Sequence, residues 1–217
     1  MKILNKKIAR KKSSADWVRR QLDDPYVVRA RREGYRARAA YKLAEIDEKY
    51  RILKNGQVVV DLGAAPGSWS QFVMKNFPKS RVIAMDLLPI APIPGALFYE
   101  GDFTTSQAVA WLSSELRVQS SELRAVDVVL SDMAPNTTGH QKTDHIRQMA
   151  LLEMAFDFAR DNLKPGGAFV AKSFTGGTTD ELLKDIRRHF TTVYHIKPPA
   201  SRKDSVEMFV VGVGFKA

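Results

Sequence analysis

The sequence predicts an α/β fold around a mainly parallel sheet of seven strands, one of which runs antiparallel. Short apolar runs alternate with helical stretches along the chain, which is typical of a parallel sheet covered by helices on both faces. The last two strand-like segments follow one another without a helix, and this favours one antiparallel strand. The chain has 217 residues, 44% of them hydrophobic, so one domain of this kind can bury an adequate core.

Each element is predicted from its apolar pattern. The first helix, over 35–50 after Gly34, follows from a stripe of Ala40, Leu43, Ala44 and Ile46 near a period of 3.6, and "LKNG" ends it with a turn. Apolar runs predict the strands, which cover 57–62, 81–87, 96–103, 125–132, 168–174, 192–197 and 206–215. The intervening stretches predict helices over 68–77, 106–116, 144–163 and 179–190, with "KPGG" stopping the third of these.

Positive charge is concentrated at the start of the chain. Residues 1–42 hold 14 of the 34 lysines and arginines but only four of the 24 acids. Trp17, Tyr26, Tyr35 and Tyr41 lie among these charges. Aromatic and basic residues together suit RNA, whose bases can stack on the rings. We therefore predict a basic RNA-binding arm over 1–33 and a second domain over 34–217, the alternative being a solvated tail without a partner.

Several kinds of site and location are disfavoured. The chain has no cysteine, which excludes disulfides, thiolate metal sites and a cysteine nucleophile. The four histidines have no metal-ligand spacing, so no metal is expected, and we place all four on the surface or facing RNA: His140, His145, His189 and His195. No apolar run approaches the ~20 residues of a membrane span. We expect a cytoplasmic monomer, with a mitochondrial presequence as the weaker alternative for the basic start.

Charged residues end five consecutive predicted strands. They are Asp61, Asp86, Asp102, Asp132 and Lys172. Ligands of doubly wound sheets bind at the carboxyl ends of the strands, so these side chains predict a binding site at that edge. For Asp61 or Asp86 taken alone, a helix cap or turn acid is the better interpretation.

The turn "DLGAAPG" after the first strand favours a nucleoside ligand without phosphates. It lacks the G-x-G-x-x-G spacing of dinucleotide sites, and Pro66 has no amide to offer a pyrophosphate. Asp86 can accept both ribose hydroxyls, and Asp102 can meet an adenine edge. Acidic surroundings also tolerate a sulfonium and an amino group. S-adenosylmethionine fits this pattern better than NAD. The small residues would let the backbone approach it, and Trp69 is interpreted either as a ligand contact or as a core aromatic.

Two further charges, Lys42 and Glu207, join Asp132 and Lys172 at positions expected to be buried or close to the site. A buried lysine near another cation has a lowered pKa and can act as a general base. The alternative is a structural ion pair between Lys172 and Asp132.

Seven blocks of the chain resemble the FtsJ/RrmJ family of ribose 2′-O-methyltransferases. In order they are "RARAAYKLAEID", "VVVDLGAAPGSWSQ", "AMDLLPI", "GDF", "LSDMAPNTTG", "FVAKSF" and "SVEMFVV", spread over about residues 33–215. The resemblance implies a Rossmann-like class I methyltransferase fold that uses S-adenosylmethionine. Ser68 departs from the pattern, which commonly has a second glycine there.

The resemblance also assigns roles. It implies a catalytic tetrad of Lys42, Asp132, Lys172 and Glu207, with Lys172 taking the proton of the ribose hydroxyl. It implies cofactor contacts at Gly67, Trp69, Asp86, Asp102 and Asp132. The bacterial branch implies methylation of a uridine ribose in 23S rRNA on the large ribosomal subunit. The alternatives are another RNA such as tRNA, a non-catalytic ribosome-assembly factor, and a methyltransferase acting on small molecules or proteins.

Overall fold

A computed structural model describes residues 23–117, 126–176 and 180–216. Within these ranges, the six helices are α1 Pro25–Glu33, α2 Ala39–Tyr50, α3 Ser68–Asn76, α4 Ser106–Arg117, α5 Gln141–Asn162 and α6 Asp180–His189. The seven strands are β1 Val58–Leu62, β2 Arg81–Asp86, β3 Ala96–Glu100, β4 Val126–Ser131, β5 Leu163–Phe174, β6 Phe190–Ile196 and β7 Glu207–Phe215. None of the described helices is long and apolar enough to cross a membrane.

The strands form one sheet in the order β3-β2-β1-β4-β5-β7-β6. β7 is antiparallel to both β5 and β6, whereas the other described pairs are parallel. The predicted fold class, with its one antiparallel strand, is therefore confirmed. The chain order reverses between β1 and β4, and a ligand crevice is expected at the carboxyl ends of the strands there.

Two apolar layers cover the two faces of the sheet. Along β1, Val60 and Leu62 point to one side and Val59 to the other, as the period of two in a strand requires. Helices α4, α5 and α6 pack on the first side, where Phe156 and Phe169 are fully buried. Helices α2 and α3 pack on the second side.

Two predicted boundaries differ from the structure. "KPGG" does stop α5, which ends at Asn162, but this turn-like segment belongs to β5, which begins at Leu163. A register shift between Val126 and Val128 on β4 accommodates it. The first predicted helix, over 35–50, begins at Ala39 in the structure. A separate helix, α1, precedes it and ends at Gly34 in a left-handed conformation.

The last nine residues of the predicted basic arm form α1. Asp24 caps the helix by accepting a hydrogen bond from the Tyr26 backbone N–H at 3.0 Å, and Pro25 opens its first turn. Ala30 on α1 packs with Tyr41 and Ala200 in a third apolar cluster. Residues 1–22 of the predicted arm lie outside the described residues.

Candidate active site

The carboxyl ends of β1 to β4 open into a cavity of about 770 Å³. The turn after β1 supplies Gly63 and Ala65, and helix α5 closes one side with Arg147, Leu151 and Met154. The remaining walls come from the ends of the other strands: Met85–Leu88, Gly101–Phe103 and Asp132–Asn136. A volume of this size accommodates a nucleoside-sized ligand.

Asp86 joins the turn after β1 to the end of β2. Its Oδ2 accepts a hydrogen bond from the Ala65 N–H at 2.8 Å, and its Oδ1 accepts one from the Leu88 N–H at 2.8 Å. Each carboxylate oxygen has a second lone pair, so Asp86 can still accept hydroxyl donors from the cavity. Asp102 is exposed at the cavity wall, where its Oδ1 accepts from the N–H and hydroxyl of Thr104.

The two glycines of the first turn make room for protein side chains. A Cβ at Gly63, where φ is +72°, would lie 2.2 Å from Met133 Cγ. A Cβ at Gly67, where φ is +95°, would lie 2.8 Å from Arg36 Nη1. Arg36 donates hydrogen bonds to the carbonyl oxygens of Pro66 and Pro92 at 3.0 and 2.8 Å. Its guanidinium therefore links the turn after β1 to the segment before β3.

Trp69 lies in the core below the site. It is 2% exposed, packs with its ring centroid 5.7 Å from that of Phe209, and donates its indole N–H to the Ala39 carbonyl oxygen at 2.7 Å. Neither Gly67 nor Trp69 lines the cavity, whereas Asp86, Asp102 and Asp132 do. The cofactor contacts assigned to Gly67 and Trp69 stay predictions.

The four charged side chains named by the resemblance converge beside this cavity. Lys172 Nζ lies 2.8 Å from Asp132 Oδ1 and 3.5 Å from Glu207 Oε2. Lys42 Nζ lies 2.7 Å from that same Glu207 oxygen and 3.6 Å from Asp132 Oδ2. Two cations and two carboxylates thus alternate in a closed cluster that is formally neutral. Lys172 also donates to the Asp132 backbone carbonyl at 2.8 Å.

The protonation of this cluster differs from the sequence expectation. Burial alone would lower the pKa of Lys172, as was expected. The charges of Asp132 and Glu207 outweigh burial, however, and raise the pKa of Lys172 above its ordinary value. Burial likewise opposes ionisation of Glu207, but Lys42 and Lys172 together lower its pKa. The expected lowered pKa of Lys172 is therefore wrong, because two carboxylates face it in addition to Lys42.

Asp61, the first of the strand-end charges, supports the fold around the site. Only 1% exposed, it accepts hydrogen bonds at Oδ2 from the Ser70 N–H at 3.0 Å and the Ser70 hydroxyl at 2.6 Å, in the first turn of α3. Burial raises the pKa of Asp61 to about 7, and the negative charges of Asp132 and Asp86 contribute. The interpretation of Asp61 as a helix-terminal acid agrees with this position.

The histidines divide into two kinds. His140 and His195 are exposed, as expected. The other two are partly buried, and their rings pack on aromatic neighbours: His145 lies 5.3 Å from Phe174 and His189 lies 5.6 Å from Phe156, between ring centroids. Among the residues that the structure describes, no group of three or more acidic or histidine side chains is placed to hold a metal ion.

Comparison with known proteins identifies the family. A family model described as FtsJ-like methyltransferase matches residues 35–215. This chain belongs to the FtsJ-like methyltransferase family. The resemblance noted in the sequence blocks is thereby confirmed, and the chain is a methyltransferase.

Relatives of this FtsJ-like methyltransferase carry a more specific name. Proteins named ribosomal RNA large subunit methyltransferase E from Novosphingobium aromaticivorans and Sphingopyxis alaskensis are 54% and 56% identical over 204 residues. These alignments cover 94% of this chain and 89% and 86% of the two relatives. A crystal structure described as a ribosomal RNA methyltransferase from Plasmodium falciparum has a TM-score of 0.71 at 29% identity, covering 83% of this chain and 98% of that one.

The FtsJ-like methyltransferase also contains site residues that the sequence interpretation missed. Gln148 on α5 is 2% exposed, and its amide nitrogen donates to the carbonyl oxygens of Met133 and Lys172 at 3.2 and 3.0 Å. A signal existed for it, since Gln148 stands four residues before Leu152 on the buried face of a predicted helix. Ser201, whose hydroxyl contacts Glu207, had no comparable signal in its irregular segment.

Proposed function

We propose that this FtsJ-like methyltransferase transfers the methyl group of S-adenosylmethionine to the 2′-oxygen of a uridine ribose in 23S rRNA of the large ribosomal subunit. The observation that carries the proposal is the juxtaposition of the acid-lined cavity with the cluster of Lys42, Asp132, Lys172 and Glu207, in which Asp132 belongs to both. The relatives named ribosomal RNA large subunit methyltransferase E favour ribosomal RNA as the substrate.

The residues of the cavity suit this cofactor. Asp86 would accept the ribose hydroxyls through its free lone pairs, and Asp102 would meet the adenine edge. Leu87, Leu88 and Phe103 give apolar surface on which a base can lie. Gly67 and Trp69 would contribute indirectly, by setting the turn after β1 and its position on α3. When bound, the cofactor supplies an electrophilic methyl group on a sulfonium.

Lys172 is the proposed general base. As a neutral amine it would take the proton of the ribose hydroxyl while that oxygen bonds to the methyl carbon, and the electron pair of the broken carbon–sulfur bond would remain on sulfur. The two carboxylates hold it as an ammonium in this structure. Positive charge placed in the cavity beside Asp132 would weaken the ion pair between Asp132 and Lys172, and would favour loss of the Lys172 proton. Lys42 and Glu207 would orient the ribose and Lys172.

A basic surface beside the cluster suits an RNA partner. Arg29, Arg31 and Arg32 are exposed on α1, and Asp24 at the start of this helix forms an ion pair with Arg38 just before α2, the helix that carries Lys42. RNA phosphates would bind such side chains without sequence preference. The predicted arm over 1–33 would thus deliver the substrate to the site in the domain over 34–217.

The test is methyl transfer by the purified protein to large ribosomal subunits from a strain that lacks the gene. We expect labelled methyl groups in 23S rRNA as 2′-O-methyluridine, and much less incorporation into subunits from the parent strain, which are already modified. Deproteinised 23S rRNA and tRNA from the deletion strain serve as alternative substrates. Transfer to tRNA alone, or to a base instead of a ribose, would contradict the proposal, and binding without transfer would favour an assembly factor.

A further inference from the structure

The two oxygens of the Glu207 carboxylate have separate partners. Oε2 faces both lysines, at 2.7 Å from Lys42 Nζ and 3.5 Å from Lys172 Nζ. Oε1 accepts a hydrogen bond from the Ser201 hydroxyl at 2.7 Å. Ser201 is 5% exposed, so water has little access to replace that hydroxyl. The side chain of Glu207 is thereby fixed in rotation, with one oxygen kept away from Lys172.

The segment that carries Ser201 is anchored to α2. The Ala200 N–H donates to Glu45 Oε2 at 2.7 Å, and the Ala200 carbonyl accepts a hydrogen bond from the Arg38 guanidinium. The Ser201 N–H donates to the Pro198 carbonyl oxygen at 2.8 Å. Because Lys42 also belongs to α2, the same helix places Lys42 at one oxygen of Glu207 and, through Ala200, supports the Ser201 hydroxyl at the other.

We infer that Ser201 is a positioning residue for the methyl transfer, which acts by keeping Glu207 Oε1 from binding the Lys172 ammonium. The inference rests on the proposed function, since it concerns the same cluster. Lys42 faces Glu207 from α2, and Lys172 faces Glu207 from β5. Asp132 contacts the two lysines, and Arg38 interacts electrostatically with Glu207 at longer range. Without the serine, the freed oxygen can turn to Lys172, which would then hold its proton more tightly.

The first experiment compares Ser201→Ala with the parent protein in single-turnover and steady-state methyl transfer to large subunits. We expect kcat to fall about tenfold, while KM for subunits and cofactor affinity change less than about twofold. The pH of half-maximal rate should move upward by about half a unit or more, since Lys172 must lose its proton from a stronger ion pair. Ser114→Ala is the matched control, because this exposed hydroxyl on α4 donates to the Trp111 carbonyl oxygen, away from the cluster.

A double-substitution cycle separates positioning from a merely structural role. If Ser201 acts through Glu207, Ser201→Ala should add no further loss in a Glu207→Ala background. Losses that multiply in the double variant, or a Ser201→Ala protein with the kcat and pH profile of the parent, would overturn the inference, even if its melting temperature had dropped. An inactive parent would overturn the proposed function, and this inference with it.

Discussion

Lys172 illustrates how neighbours decide the charge of a buried residue. It is 8% exposed, and burial alone would favour the neutral amine. Asp132 at 2.8 Å and Glu207 at 3.5 Å reverse that preference and raise its pKa. In the free protein the proposed base is therefore protonated, and Lys172 must lose this proton before it can accept one from the ribose hydroxyl.

Lys172→Ala should greatly lower the rate of methyl transfer, while the cofactor still binds. Removing a general base costs about 10²–10⁴-fold in kcat. Lys172→Arg is the matched variant, because arginine keeps the positive charge between the carboxylates but does not release its proton. The raised pKa also means that the parent should speed up as pH rises through neutrality and above, whereas neither variant should. Rate measurements against pH, with melting temperatures of all three proteins, would check this.

Substantial activity in Lys172→Ala would contradict the general-base role. It would leave proximity of the two substrates as the main source of rate. A flat pH profile in the active parent would equally contradict the release of a lysine proton.

Asp61 should make stability depend on pH. Its pKa of about 7 in the folded protein, raised chiefly by burial, exceeds the ~3.9 of an unfolded chain. The folded state thus binds this proton more tightly, so stability is highest below the unfolded pKa and is lost as pH rises towards 7. Asp61→Asn keeps an oxygen for Ser70 and removes this dependence.

Urea unfolding of parent and Asp61→Asn between about pH 5 and pH 8 would measure the effect. We expect the variant to gain free energy of unfolding relative to the parent as pH rises, with the difference levelling above about pH 7. Asp102→Asn, at an exposed carboxylate, serves as the control. A difference that stays constant across this range would show that Asp61 does not titrate there.

At the scale of elements, the cavity depends on loops joined across neighbouring strands. Asp86 at the end of β2 binds the Ala65 N–H in the turn after β1, and Arg36 holds that turn to the segment before β3. The acid proposed to hold the cofactor ribose is therefore also part of the frame of the cavity.

Asp86→Ala should weaken S-adenosylmethionine binding by about 1.5–3 kcal/mol, the value of hydrogen bonds to a charged acceptor. Isothermal calorimetry on the folded variant measures the change. Asp86→Asn retains one carbonyl acceptor for the Ala65 N–H. A smaller loss of affinity in this variant than in Asp86→Ala would distinguish the structural role of Asp86 in the turn from its contact with the ligand. Affinity equal to the parent in both variants would remove Asp86 from the site.

The predictable parts of this fold are those with strong local signals. The apolar runs placed all seven strands, and their terminal charges located Asp86, Asp102 and Asp132 at one cavity. The same local pattern could not tell whether Trp69 faces a ligand or the core, because both environments favour an aromatic residue. Ser201 and the pKa of Lys172 depend on contacts between distant segments, which periodicity does not encode.

At the scale of the whole molecule, the start of the chain, which we propose binds RNA, is strongly basic, whereas the rest of the chain is balanced in charge. Helix α1 is attached to the domain through Tyr26, whose hydroxyl donates to Glu45 at 2.8 Å, and through the ion pair of Asp24 with Arg38. Both links lead to residues that anchor Ala200 beside the proposed catalytic cluster. RNA held by the basic segment would thus be placed next to Lys42 and Glu207.

Removing residues 1–22 should weaken RNA binding and leave cofactor binding and α1 intact. This segment holds eight lysines and arginines, and each phosphate contact that it makes releases counterions, so affinity should fall less steeply with salt in the truncated protein. Asp24, the cap of α1, is retained.

A full-length variant with Lys6, Lys7, Lys11 and Lys12 changed to glutamine tests charge apart from chain length. We expect the salt dependence of its RNA affinity to be intermediate between those of the parent and the truncated protein, as measured by binding to 23S rRNA at several salt concentrations. Equal slopes in all three proteins would show that residues 1–22 take no part in binding phosphate, and recognition would then rest on α1 and the domain.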